Sequence, residues 1–141
     1  MSNTNIKIVD FEKSLPEIKE IRTKVFIEEQ NVPAELEWDE FDSNSVHIIA
    51  YFDNKAVGTA RLLRDGHIGR MAVLIDFRNQ GIGKNMLKFM VDLAHKKSMA
   101  NIKLSAQEHA TGFYEKQGFS ISSDVYMDAG IPHYDMKLGE K

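Results

Sequence analysis

The spacing of apolar positions changes several times along the chain, and each change predicts an element. Ile6 and Ile8 alternate with Lys7 and Val9, the period-2 pattern of a short first strand reaching towards Asp10-Phe11. Pro16 stands where a helix can begin, with Ser14 as its candidate cap. Ile18, Ile21, Arg22, Val25 and Phe26 then follow at helical spacing to about Glu29. From Gln30 to Ser45 the chain is acidic and irregular, with Glu35, Glu37, Asp39, Glu40 and Asp42 around Trp38, and the expectation is a solvated loop or short helix. Two β-rich runs, Val46 to Phe52 and Ala56 to Leu63, flank Asp53-Asn54-Lys55 and predict a hairpin. Asp65-Gly66 is a further turn, and His67 to Leu74 a further strand.

Ile82, Met86, Phe89, Met90, Leu93 and Ala94 return to helical spacing, predicting a helix from about Gly81 to Lys97 with Lys96 and Lys97 at its negative end. Ile102, Leu104 and Ala106 alternate as a strand; Ala110 to Gln117 forms a short helix closed by Gly118. Phe119 to Ser122 and His133 to Leu138 read as closing strands. Strands followed by strand–helix–strand–helix–strand give an α+β domain spanning residues 1–141, with one crossover unit.

Composition narrows the classes. The chain has 141 residues, 43% apolar and 28% charged, which suits one globular domain with a real core. It has no cysteine, so disulfides, thiolate metal sites and a cysteine nucleophile are excluded together. The N-terminal residues lack a basic n-region and an apolar h-region, so a cytoplasmic location is expected. No apolar run reaches the roughly 20 residues of a membrane helix. A net charge of −3 offers no basic field for nucleic acid. The five histidines show no ligand spacing, so no metal is expected.

The chemistry-bearing segment is Arg78-Asn79-Gln80-Gly81-Ile82-Gly83, between a strand and a helix. First-turn amides have no intrahelical partner and lie at the positive end of the helix, so they bind phosphate. Gly81 and Gly83 permit close approach, and Arg78 and Lys84 add positive charge. A dinucleotide fingerprint needs a third glycine where Met86 stands. A Walker loop needs glycine at Arg78 and a hydroxyl at Asn85, so both readings fail. The pattern R/Q-x-x-G-x-G/A is met by Arg78, Gly81 and Gly83.

Met71-Ala72-Val73 followed by that turn resembles the acetyl-CoA motif of the GNAT superfamily of N-acetyltransferases, and Ala110-Thr111-Gly112-Phe113-Tyr114-Glu115-Lys116-Gln117-Gly118-Phe119 resembles its A-x-x-F-Y-x-K-x-G-F segment. Val25 to Gln30, the acidic stretch, Ala106-Gln107 and Gly130-Ile131-Pro132-His133 are similar to the small bacterial YjcF/ElaA-like subgroup. The resemblance implies a twisted, mostly antiparallel sheet of six to seven strands with about four helices, and two splayed parallel strands forming the cleft. It implies acetyl-CoA as cosubstrate, held by the backbone of Met71, Ala72 and Val73, by residues 78–84 (Asn79, Gln80 and Ile82 among them) and by Gln107, Phe113 and Tyr114. Gln107 stands where many members carry Asn.

With no cysteine and no G-x-S-x-G elbow, direct attack by an amine is the simplest course. The family position of Tyr114 is that of a general acid. Glu28, Glu29, Asp39, Asp42, His47 and His133 are candidate bases by chemistry, His133 ranking first. Glu28, Arg70 and His133 are the expected acceptor contacts, and the acceptor is expected to be a small-molecule amine. A homodimer is the family-level expectation. The alternative is a GNAT-fold sensor or scaffold that binds acyl-CoA without catalysis.

Overall fold

A computed structural model describes residues 4–39 and 41–139, so Glu40, the first three residues and the last two lie outside the description. Strand β1 (Thr4–Val9) precedes helix α1 (Leu15–Arg22), which passes directly into a π-helical turn, Thr23–Glu29. Helix α2 (Ala34–Glu37) and a 3₁₀ turn lead to the hairpin β2 (Val46–Phe52) and β3 (Lys55–Leu62), then to β4 (His67–Val73). Helix α3 (Ile82–Lys96), β5 (Lys103–Gln107), helix α4 (Thr111–Glu115) and strands β6 (Phe119–Ile121), β7 (Tyr126–Asp128) and β8 (Ile131–Leu138) complete it. The sheet has eight strands in the order β1-β2-β3-β4-β5-β8-β6, with β7 also paired to β8.

The expected six to seven strands are therefore too few. The missed one, β7, has only three residues, and it turns into β8 through Ala129 and Gly130 at φ 51° and 77°. So short a strand leaves almost no alternation to read. Ser14 does occupy the cap position of α1, but its side chain makes no capping bond. Its ψ of 10° departs from the extended geometry that aims a cap hydroxyl at the helix amides, and Asp10 instead accepts from the Lys13 amide at 3.1 Å. Ile8 is 55% exposed near the end of the edge strand.

Helix α3 lies on one face of the sheet. Ile82, Met86, Met90 and Ala94 recur every four residues and are buried against Ile48, Ala60, Ile68, Leu104 and Met136. On the opposite face, Ile21 and Val25 pack on Ala72 and Leu74. Between these layers β4 and β5 run parallel for only two pairs, His67 with Lys103 and Ile68 with Leu104, and then separate. The cause lies in β4, where the β3–β4 register slips between Thr59 and Arg61 and Arg70 takes φ 48°. Such a bulge bends the strand and re-aims its side chains.

The acidic stretch after Gln30, expected as a solvated loop or short helix, does contain the short helix α2, but it is pinned by buried charge rather than solvated. Arg22, 1% exposed, donates from Nε to Glu37 at 2.7 Å and from Nη1 to Asp42 at 2.7 Å, and lies 4.3 Å from the Trp38 ring centre. Arg61 bridges Asp39 and Asp42 at 2.7 and 2.8 Å, and Arg70 lies 3.5 Å from Glu37 and 3.7 Å from Asp39. Three arginines thus face three carboxylates.

Candidate functional site

Where β4 and β5 separate, a cleft of about 810 Å³ opens between them. One side of β4 is satisfied by β3, where Thr59 faces Ala72 and Gly58 faces Val73. Its other side has lost β5. The Leu74 amide donates to the Val57 carbonyl at 2.9 Å, so the Val73 amide, one residue earlier in an extended strand, points into the cleft. Met71, Ala72 and Val73 all line the opening.

The phosphate turn closes one end. Asn79 and Gly81 both take left-handed φ, 64° and 84°, with Gly81 capping α3. That conformation turns successive amides inwards and places the helix N-terminus at the cleft. Glycine is needed at 81 for its backbone angle. Gly83 serves differently: a Cβ there would lie 3.9 Å from both Val73 and Phe113, so the protein alone has room for one and the glycine leaves that space to a ligand. Asn79, Gly81, Ile82, Gly83 and Lys84 line the cleft. Gln80, expected among them, is exposed and does not; it lies between two left-handed residues on the solvent side of the turn.

Arg78 is not simply a cation beside the turn. Its Nε donates to the Val73 carbonyl at 2.8 Å, and its Nη1 and Nη2 donate to the Glu29 carboxylate at 2.7 and 2.6 Å. Arg78 holds the Glu29 carboxyl below its usual range. Exposed Lys84 carries the positive charge at the turn.

Glu28, an expected acceptor contact, is exposed and outside the cleft, whereas Glu29 and Gln30 line it. The π winding explains this. With the Gln30 amide bonded to the Val25 carbonyl at 3.1 Å, the fifth residue on returns to the face of Val25, and Glu28 is turned away. Gln30 accepts from Gln107 Nε2 at 2.6 Å, so the π turn is tied to both walls of the cleft.

Tyr114 lines the cleft, its ring edge-on to Phe113 and Phe119 at 5.0 and 6.3 Å. Burial pushes the phenol up to about 12, and its hydroxyl has no hydrogen-bond partner among the described residues. It is therefore a neutral donor at neutral pH. His133 also lines the cleft; its Nδ1 lies 2.7 Å from the Ile131 carbonyl, and a carbonyl only accepts, so Nδ1 carries a proton and Nε2 is the ring nitrogen left to act as an acceptor in the neutral tautomer. Tyr126 stacks on this ring at 6.0 Å and donates to Asp135 at 2.6 Å.

The other candidate bases are committed elsewhere. Burial alone would raise Asp39 and Asp42, but bonds from Arg61 and Arg22 reverse the sign and hold both low. His47 is buried against Phe11, its Nε2–H donating to the Asp42 carbonyl at 2.7 Å, away from the cleft. Arg70 lines the cleft from the bulge. Arg61, Ser105 and Asp128 also line it and carried no motif in the sequence; only the sheet register brings them there.

An open strand edge, a helix N-terminal anion nest and a neutral phenol in one wedge are the parts of a coenzyme A-dependent acyltransferase. Residues 13–139 match the acetyltransferase (GNAT) domain family, and the chain belongs to it. YjcF of Bacillus subtilis, described as an uncharacterized N-acetyltransferase, is 38% identical over 129 residues, covering 89% of this chain and 92% of that one. The crystal structure of an acyl-CoA N-acyltransferase from Pseudomonas aeruginosa superposes with a TM-score of 0.85 at 28% identity, covering 96% and 99% of the two chains. That of Escherichia coli ElaA gives 0.84 at 26% identity over the same shares.

Proposed function

We propose that this acyltransferase moves an acetyl group from acetyl-CoA directly to a primary amine of a small-molecule acceptor. The observation that carries the reading is the Val73 amide, aimed into the cleft beside the space left by Gly83. In this reading the amides of residues 81–84 hold the pyrophosphate, and the open edge of β4 pairs with the pantetheine arm. The Val73 N–H polarises the thioester carbonyl as its oxygen gains charge, a contribution of about 3 kcal/mol. His133 Nε2 takes the proton that an alkylammonium must lose before attack. A C–N bond forms, the C–S bond breaks, and Tyr114 gives its proton to the departing sulfur and regains one from the attacking nitrogen, which sheds its second proton as it becomes the amide. Arg78 and Glu29 keep the Val73 peptide in place, and Gln30 fixes the Gln107 amide.

Time courses of CoA release from acetyl-CoA, run with amines, amino sugars and peptides, test the reading. Turnover with at least one amine is expected. Tight acetyl-CoA binding in calorimetry with no CoA release from any acceptor would replace it with an acyl-CoA-binding sensor.

A further inference from the structure

We infer that Asp128 is the anchor for the acceptor's ammonium group, so the acceptor is a cationic aliphatic amine with no anionic group beside the amine. This rests on reading the cleft as the site of acetyl transfer. The acidic stretch that would suggest a cationic substrate from sequence does not supply the charge. Glu37, Asp39 and Asp42 are compensated by Arg22, Arg61 and Arg70. Within the cleft, Glu29 is held bidentately by Arg78. Asp128, exposed at the rim, also lines the cleft, and its carboxylate has no ion pair or hydrogen bond with any described residue.

Its placement follows from the register. Met136 pairs with Leu104, and both pack into the core beneath α3. Alternation then turns Ile131, His133 and Asp135 to the opposite face, and Tyr126 and Asp128 share it because they pair with His133 and Ile131. Lys84 stands in the first turn of α3, on the other side of the sheet. The two mouths of the cleft thus carry opposite uncompensated charge: positive where phosphate would sit, negative beside the His133 lone pair. An ammonium held by Asp128 lies on the same hairpin face as the nitrogen that would take its proton.

The test uses the whole chain and three amines: 1,4-diaminobutane, glycine methyl ester and glycine, the last two differing only in the carboxylate. Expected are turnover of the diamine and ester, with the free acid at least tenfold poorer in kcat/KM. Asp128→Asn should raise the diamine KM about tenfold, the size of a lost charge-assisted hydrogen bond, and leave the acetyl-CoA KM within about twofold. Added salt should weaken diamine binding in the wild type and much less in the variant. An unchanged diamine KM in Asp128→Asn, or glycine preferred to its ester, overturns the assignment. If no amine is acetylated, the catalytic reading fails separately. Calorimetric binding of 1,4-diaminobutane to the CoA-loaded wild type and variant then decides Asp128 alone: equal affinities, or no binding to the wild type, overturn it.

Discussion

Replacing Tyr114 by Phe isolates one oxygen atom. The ring contacts with Phe113 and Phe119, at 5.0 and 6.3 Å, survive, and the lost hydroxyl had no hydrogen-bond partner among the described residues. Folding stability should therefore be unchanged or slightly higher, because nothing is left unpaired. Acetyl-CoA affinity should stay within about twofold. Turnover should fall by about 100-fold, the low end for general acid catalysis, because a thiol of pKa about 8.5 leaves tolerably as thiolate. With the phenol pushed up to about 12, its acid form is fully populated at neutral pH, and the wild-type rate should show no descending limb from Tyr114 below about pH 11. Thiol release under saturating cosubstrate, with a thermal melt of the same protein, measures all of this. A kcat within about threefold of wild type would remove Tyr114 from the chemistry, and a large loss of melting temperature would show that its hydroxyl makes a structural hydrogen bond instead.

Arg22→Met should destabilise the fold by about 3–5 kcal/mol in urea denaturation, because Glu37 and Asp42 lose their closest charge partner while remaining buried; a loss below about 1 kcal/mol refutes the buried-pair reading. His47 is held low chiefly by burial, so the unfolded chain takes up a proton below about pH 6.5 that the folded chain does not, and stability falls as pH drops through that window towards the folded value. Glu37, held high by burial, acts in the opposite sense, so the profile is read as the difference from His47→Gln, which should be flatter between about pH 7 and pH 5; identical slopes would refute the assignment.

Much of the site was legible because it is local. The glycine at 81 is required by a single backbone angle, and Gly83 and Lys84 follow from the first turn of one helix, so the turn at one end of the cleft is written in contiguous residues. Strand and helix periods likewise placed β2, β3, β4 and α3, since one buried face sets each pattern. What sequence alone could not settle depends on contacts between distant segments. The acidic run became a buried counter-ion set only when Arg22 and Arg61, from a helix and a strand on either side of it, met it in space. Glu29 took the place expected of Glu28 because the helix widened to π winding before the cleft. Asp128 and His133 share a face only through the pairing of β7 with β8. The anion-binding end was fixed by backbone conformation within one turn, which sequence encodes directly. The end of the cleft proposed for the acceptor is assembled from side chains on separate strands, and their neighbours exist only once the sheet has closed.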